Sequence, residues 1–242
     1  GGKNPLIVCD DADMDQAVEA TVMGAFGSTG QRCTATSRAI VMESVYSEFK
    51  EKLLARVAKI KVGDGMEDPS AMGPVVDGKQ MLEVLEAIEG ARKEGFKLLC
   101  GGERVGGNSP SNGYFIAPTV FDDVPPRSKL GQQEVFGPVL ALMKVGDFEE
   151  AMRVANDVEY GLTSSIYTKD TTRALTYAER MESGMLHVNS ATVGGEAQAP
   201  FGGTKATGVG GREMGASALE IFSEIKTVYL DYNPSFRGGN LY

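Results

Sequence analysis

The chain alternates short apolar runs with longer segments of helical periodicity, and this alternation restricts the fold more than any other feature. "NPLIVCD", over Asn4 to Asp10, is a short apolar run. Asp13 to Phe26 follows with the spacing of a helix that begins at an acidic cap. Repeats of this order are typical of parallel strands joined by helices on both faces of a sheet. The sequence therefore predicts an α/β fold with a Rossmann-like parallel sheet flanked by helices.

The same patterns place the remaining elements. Further strands are predicted over 37–42, 97–100, 137–145, 164–169 and 184–189, with an extended segment over 114–124 and an irregular loop over 101–113. Helices are predicted after Met42, with Val45, Phe49, Leu53, Val57 and Ile60 on one face, and over 79–94, 147–157, 170–181 and 216–224. "KTVYLDYN", over 226–233, alternates like an edge strand, which invites pairing with another chain.

Length and charge exclude several classes of partner. The 242 residues suffice for one large domain or two small ones with a well-buried core. A net charge of −9 repels phosphate backbones and anionic lipids, and the longest basic cluster, Phe49 to Lys61, has the spacing of a solvated helix face. No apolar run approaches the roughly 18 residues of a membrane span. We therefore expect neither a nucleic acid nor a membrane partner.

Cysteine usage indicates a reducing compartment. Cys9, Cys33 and Cys100 are odd in number, lie far apart and form no C-x-x-C pair, so we expect neither a disulfide framework nor a metal site. The first residues lack the pattern of a signal peptide, which favours a cytoplasmic location. The chain also opens on two glycines without an initiator Met. We expect that it begins inside a larger protein.

Cys33 is the candidate nucleophile. In "STGQRCTATSR" it follows Arg32, and Gly30 permits an unusual backbone. The small residues at 34–36 leave the thiol reachable and its own N–H free to donate. A positive neighbour and partial exposure are what a reactive thiolate needs. Cys9 and Cys100 end predicted strands, where a cysteine is usually a small hydrophobe. From the residues alone, a functional thiol and a small buried thiol both remain open for Cys33.

Other candidate motifs are weaker. His187 is the single histidine, and its place in "MLHVN" favours a strand histidine over a partner for Cys33. "GVGGREMG" resembles a dinucleotide fingerprint, but Glu213 stands where the third glycine belongs and no strand precedes it. Glu134 in "QQEVFGPV" lies in a turn, where its carboxylate either accepts hydrogen bonds from a sugar hydroxyl or is merely exposed.

Four motifs occur together in a recognisable order. "GGKNP", "GQRCTA", "EVFGPV" and "PFGGTKATGVGGREMG" resemble the catalytic half of the NAD(P)-dependent aldehyde dehydrogenase superfamily, from Gly1 to about Tyr232. The resemblance implies that Cys33 attacks the aldehyde and that its backbone N–H stabilises the oxyanion. Hydride transfer to NAD or NADP then leaves a thioester, which water cleaves. Of the two interpretations of Cys33, a functional thiol and a small buried thiol, the resemblance favours the functional thiol as nucleophile.

The resemblance also assigns roles to other residues. Glu134 would hold the hydroxyls of the nicotinamide ribose, and Phe136 would pack beside the nicotinamide ring. "VNSATVGGEAQAPF" resembles the loop at the aldehyde entrance, so Ser190 and Phe201 are implied substrate-binding residues. Together with "GQRCTATSR", this loop most resembles the branch that acts on 2-oxoglutarate semialdehyde.

Three segments follow from the same resemblance. Residues 1–205 would form the catalytic domain, 206–225 would pack toward a cofactor domain, and 226–242 would be an oligomerisation tail whose strand builds a homo-oligomer, a dimer or a tetramer. In the family the general-base glutamate lies in a Glu-Leu-Gly-Gly-Lys motif, and this chain starts at its Gly-Gly. We therefore expect these 242 residues to lack both that base and the N-terminal cofactor domain, and alone to bind NAD or NADP weakly and to deacylate slowly. A cofactor-independent thiol esterase and an inactive structural or oligomerising fragment are the alternatives.

Overall fold

The structure, a computed structural model, describes residues 1–69, 72–106, 113–230 and 232. The strands are β1 Asn4–Val8, β2 Thr36–Met42, β3 Lys97–Cys100, β4 Thr119–Asp122, β5 Val139–Val145, β6 Tyr160–Gly161, β7 Thr163–Tyr167, β8 Met185–Val188 and β9 Thr204–Lys205. The helices are α1 Met14–Phe26, α2 Glu43–Val57, α3 Gly78–Lys93, α4 Lys129–Gln132, α5 Phe148–Asn156, α6 Thr171–Arg180 and α7 Ser217–Ile221.

Seven of the strands form one sheet, in the order β3-β4-β5-β2-β1-β7-β8. β3 is antiparallel to β4, and every other neighbouring pair is parallel. β6 and β9 form a separate antiparallel pair. The predicted α/β fold with a mainly parallel sheet is confirmed.

The core has two layers, one on each face of the sheet. Along β1, Leu6 and Val8 face the layer built from α1 and α2, whereas Ile7 faces the layer built from α3, α5 and α6. Both faces of the central strands are therefore buried, which is why the sequence shows continuous apolar runs instead of alternation.

Helix starts follow the acidic caps of the sequence. Asp13, Asp77, Asp147 and Asp170 each accept a hydrogen bond from a backbone N–H in the first turn of the following helix. Each cap satisfies an amide that has no partner inside the helix. These local bonds explain why the predicted helices begin within a residue or two of their observed starts.

Three predictions on local structure differ from the fold. Only 119–122 of the extended segment 114–124 is a strand, and α2 ends before Ile60. The edge strand predicted over 226–233 is not formed at residues 226–230 and 232, because within the described chain this exposed segment has no neighbouring strand to pair with. Residues 231 and 233–242 of the tail, and residues 107–112 of the predicted loop, lie outside the described residues. Among the helices of the described residues, none combines the length and the apolar character that crossing a membrane requires.

Candidate active site

The candidate site lies at the amino ends of the central parallel strands. Lys3 precedes β1, Cys33 precedes β2, Glu134 and Phe136 precede β5, and Leu162 precedes β7. These four strands are parallel neighbours, so the segments that lead into them meet at one edge of the sheet. Ligands of open α/β sheets usually bind at the carboxyl ends. The location here is the opposite edge.

Cys33 is exposed on the loop between α1 and β2. The buried side chain of Asn4 fixes this loop, because Asn4 Nδ2 donates to the carbonyl of Cys33 and to that of Ala35, both at 2.8 Å. Thr192 Oγ1 donates to the carbonyl of Thr34 at 2.7 Å. Within the described residues, the backbone N–H of Cys33 has no hydrogen-bond acceptor. These bonds hold the backbone of the loop, which carries the exposed Cys33 thiol and a backbone N–H that is free to donate.

A strained turn precedes the cysteine. Ser28 and Thr29 have φ of 52° and 60°, in the left-handed region that non-glycine residues seldom adopt. Gly30 has φ of 68°, and a Cβ there would lie 2.2 Å from the carbonyl oxygen of Gly137. Arg32 Nε donates to Ser28 Oγ at 2.9 Å, which ties the turn to the residue before the thiol. Strain of this kind persists only where the surrounding packing imposes it.

The other two thiols have surroundings that disfavour the thiolate. Cys9 is fully buried, and burial raises the pKa of its thiol to about 12. Cys100 is half-buried in β3, and burial raises its pKa as well. Desolvation penalises the charged form of each thiol. Cys33 is the exposed member of the three.

Cys33 and Phe201 line the same open cleft, which has a volume of about 590 Å³. Gly1, Leu162 and Glu213 line it as well. Backbone hydrogen bonds in both directions between Phe201 and Glu213, at 2.6 and 2.7 Å, hold these two residues side by side. The sequence alone marked Glu213 only as the residue that breaks a glycine motif. The Glu213 carboxylate belongs to the same cleft as the exposed thiol and can accept a proton there.

Glu134 and Phe136 form a second pocket that adjoins the cleft. It is lined by both residues and by Gly2, Gly30 and Arg32. Phe136 is 39% exposed and has a left-handed φ of 54°, and its carbonyl accepts a hydrogen bond from Gln80 Nε2 at 3.0 Å.

The Glu134 carboxylate lies against the first residues of the chain. A Cβ at Gly1 would lie 2.4 Å from Glu134 Oε2. Since Gly1 also lines the cleft of Cys33, the two cavities share a wall.

Two buried cations directly follow residues that line the Glu134 pocket, Lys3 after Gly2 and Arg38 after Ser37. Lys3 is 2% exposed and Arg38 is fully buried. Burial, together with the nearby charge of Arg38, lowers the pKa of Lys3 to about 7, while Glu134 acts in the opposite direction. Burial lowers the pKa of Arg38 to about 9, and Asp157 opposes that shift.

Two residues considered from the sequence lie outside both cavities. Ser190 is exposed beyond β8 and lines neither the cleft nor the pocket, and its carbonyl accepts a hydrogen bond from Ser165 Oγ. His187 is half-buried in β8, with Nδ1 3.4 Å from Ser190 Oγ, and burial lowers its pKa. Neither of the two cavities is lined by both Ser190 and Cys33, and the substrate role of Ser190 remains a prediction.

Comparisons with known proteins agree with the motifs. A model described as "Aldehyde dehydrogenase family" matches residues 1–228. Alpha-ketoglutaric semialdehyde dehydrogenase of Bacillus subtilis is 46% identical over 95% of this chain and 47% of its own length. Retinaldehyde dehydrogenase 3 of Homo sapiens is 44% identical over 97% of this chain and 45% of its own length. The chain thus spans about half the length of the curated relatives it matches.

A solved structure has the same fold. A crystal structure of 1-pyrroline-5-carboxylate dehydrogenase from Thermus with bound NAD matches with a TM-score of 0.88 and 40% identity, covering 93% of this chain and 43% of that one.

Proposed function

Because the chain belongs to the aldehyde dehydrogenase family, we propose that it forms the catalytic domain of an enzyme that oxidises an aldehyde to a carboxylic acid through Cys33. The observation that carries this proposal is the exposed, loop-held Cys33 at the junction of the Phe201 cleft and the Glu134 pocket. The cleft would admit the aldehyde, and the pocket would hold part of the cofactor.

Cys33 would act as a thiolate on the aldehyde carbon. A sulfur–carbon bond forms, and the carbonyl oxygen becomes an oxyanion. The free N–H of Cys33 is a donor for that oxygen, and its position on a loop held by Asn4 keeps it in place before the reaction. Loss of the hydride leaves a thioester on Cys33.

Release of the acid requires a base that activates water. Glu213 is the carboxylate among the described residues lining the cleft, so it can accept a proton from a water molecule near Cys33. The resemblance gives the principal role to the glutamate of the family's Glu-Leu-Gly-Gly-Lys motif. Glu213 would support that group.

Glu134 is the residue that we assign to the nicotinamide-ribose end of NAD or NADP. Among the described residues no hydrogen-bond donor or cation pairs with the Glu134 side chain, so its oxygens are free to accept from two sugar hydroxyls. Phe136 offers an exposed ring face beside it. The cofactor, when bound, supplies the hydride acceptor. That the related Thermus structure contains NAD supports this assignment.

We further propose a 2-oxo acid semialdehyde as substrate. The name of the Bacillus subtilis relative and the loop between Ser190 and Phe201 support this choice. We also propose that the exposed tail, in which Tyr229 and Leu230 are 92% and 69% exposed, pairs with a second copy to form a homo-oligomer.

The test is replacement of Cys33 by Ala in the full-length protein that contains this chain. NADH formation from 2-oxoglutarate semialdehyde should fall at least about a thousandfold, because the covalent step is lost. Cys100→Ala is the matched control, since this half-buried thiol lies in β3 on the far side of the sheet order from β1. It should retain the parental rate.

Two results would contradict the proposal. Parental NADH formation by Cys33→Ala would show that the nucleophile is wrong. Cleavage of activated esters by the parent without NAD-dependent oxidation of any aldehyde would favour the thiol esterase instead.

A further inference from the structure

Lys3 is a buried cation whose charge the protein does not neutralise by direct contact. It is 2% exposed, and no carboxylate among the described residues lies within 4.0 Å of its ammonium. Burying a charged ammonium without a partner is costly, and such groups either find a counter-charge or lose their proton. A gain in the free energy of unfolding therefore does not explain why a lysine occupies this position.

The neighbouring cation cannot share the role of Lys3. Arg38 uses its guanidinium on three backbone carbonyls, those of Lys3, Val154 and Ala155, at 2.9, 3.0 and 2.9 Å. The charge of Asp157 acts on the Arg38 guanidinium. The Arg38 side chain therefore holds the backbone of Lys3 in place and repels its ammonium.

Glu134 is the carboxylate that acts on Lys3. It precedes β5, and β5 lies next to β2, which lies next to β1, so the three charged residues meet at one sheet edge. Glu134 Oε2 lies against Gly1, two residues before Lys3. The same carboxylate faces the pocket that contains Phe136.

We propose that Lys3 is a positioning residue, whose buried ammonium draws the Glu134 carboxylate to the Gly1 side of its pocket, where that carboxylate binds the ribose hydroxyls of the cofactor. This inference rests on the proposed function of Glu134. It gives a role to an otherwise costly cation that directly follows Gly2 of the pocket wall, because charges interact more strongly through poorly solvated protein than in water.

The attraction between the Lys3 ammonium and the Glu134 carboxylate should depend on pH. The groups that face its ammonium are Arg38 from β2 and Glu134 from the segment before β5. Because the pKa of Lys3 is lowered to about 7, the ammonium is present below that pH and is lost as pH rises through it. Cofactor binding should therefore weaken as pH rises from 6 to 8.5.

The experiment measures NADH binding to the full-length protein by equilibrium fluorescence titration, without turnover. We expect Lys3→Met to weaken binding about tenfold at pH 6 and to abolish the pH dependence. Lys3→Arg, which keeps its charge, should retain tight binding at pH 8.5. Glu134→Gln should weaken NADH binding by itself, and adding Lys3→Met to it should cause no further loss.

Lys169→Met is the matched control, because Lys169 is exposed beyond the carboxyl end of β7, at the opposite edge of the sheet. It should bind NADH like the parent. If Lys3→Arg fails to fold, the proposal is tested by Lys3→Met and by the double variant. Methionine suits this buried position, because its side chain is flexible, apolar and similar in length to that of lysine.

The outcomes separate the two proposals. The positioning role is overturned if Lys3→Met binds NADH normally. It is also overturned if Lys3→Met weakens NADH binding equally in the parent and in Glu134→Gln. In both cases the ribose role of Glu134 stands. Normal binding by Glu134→Gln contradicts the ribose role itself and overturns the inference with it.

Discussion

Replacing Asn4 by Ala should impair both folding and catalysis, because one buried amide holds the nucleophile loop. Asn4 is 2% exposed and donates to the carbonyls of Cys33 and Ala35 at 2.8 Å each. Its Oδ1 also accepts from the N–H of Thr163 at 3.4 Å. The substitution leaves three backbone groups without this partner.

The magnitude follows from the burial of those groups. A buried polar group left unpaired costs about 1–3 kcal/mol. The carbonyl of Ala35 is buried, whereas that of Cys33 lies near the surface and regains water, and the bond from Thr163 is long. We therefore expect Asn4→Ala to lower the free energy of unfolding by about 3 kcal/mol. Loss of the loop anchor should also reduce kcat by about 10- to 100-fold, because a displacement near 1 Å at a nucleophile has effects of that size.

Urea unfolding measures the first effect, and steady-state kinetics of the full-length protein measure the second. Asn189→Ala is the control: Asn189 makes two comparable bonds with the backbone of Thr168, both at 3.0 Å, at the opposite edge of the sheet. That variant should lose stability but keep its kcat. A parental kcat in Asn4→Ala, or an equal loss in Asn189→Ala, would refute the reasoning.

Three further predictions concern a turn, the thiols and the buried lysine. Gly30→Ala should destabilise the protein by more than about 2 kcal/mol in urea unfolding, because φ of 68° and a contact of 2.2 Å leave no room for a methyl group; a smaller loss would show that the turn relaxes. Iodoacetamide, followed by mass spectrometry, should label Cys33 first, Cys100 more slowly and Cys9 last, in line with exposure and with the raised pKa values of the latter two; equal rates would contradict the reactive-thiol interpretation. Lys3→Met should stabilise the protein near pH 6–7 by at most about 5 kcal/mol, from the fall of its pKa from 10.5 to about 7. Between those two pKa values the unfolded chain binds more protons than the folded one, so the stability of the parent rises with pH and the advantage of the variant shrinks; a variant-to-parent difference in Tm that stays constant from pH 7 to 9 would disprove this.

Local sequence determined where the helices and strands of this protein form. Aspartates before the helical patterns cap those helices, and apolar runs become strands buried on both faces. Both signals act within a few residues, which is why composition and periodicity reveal them. Residues 226–230 form no strand within the described chain, since an edge strand depends on a partner that its own residues do not supply.

The sequence also marked Cys33, Glu134, Phe136 and Phe201, through motifs that resemble one family. It did not show that the lead-ins to β1, β2, β5 and β7 meet at one edge. The pairings of β2 with β5 and of β1 with β7 join residues more than a hundred positions apart, and no local pattern encodes them.

Tertiary structure alone therefore decided what surrounds the thiol. It buried Lys3 where the charge of Glu134 acts on it, bonded Asn4 to the loop of Cys33 and brought Glu213 into the same cleft as that thiol. The physical reason is that charge, burial and hydrogen bonding depend on which distant segments pack together, whereas the tendency to form a helix or a strand resides largely in neighbouring residues.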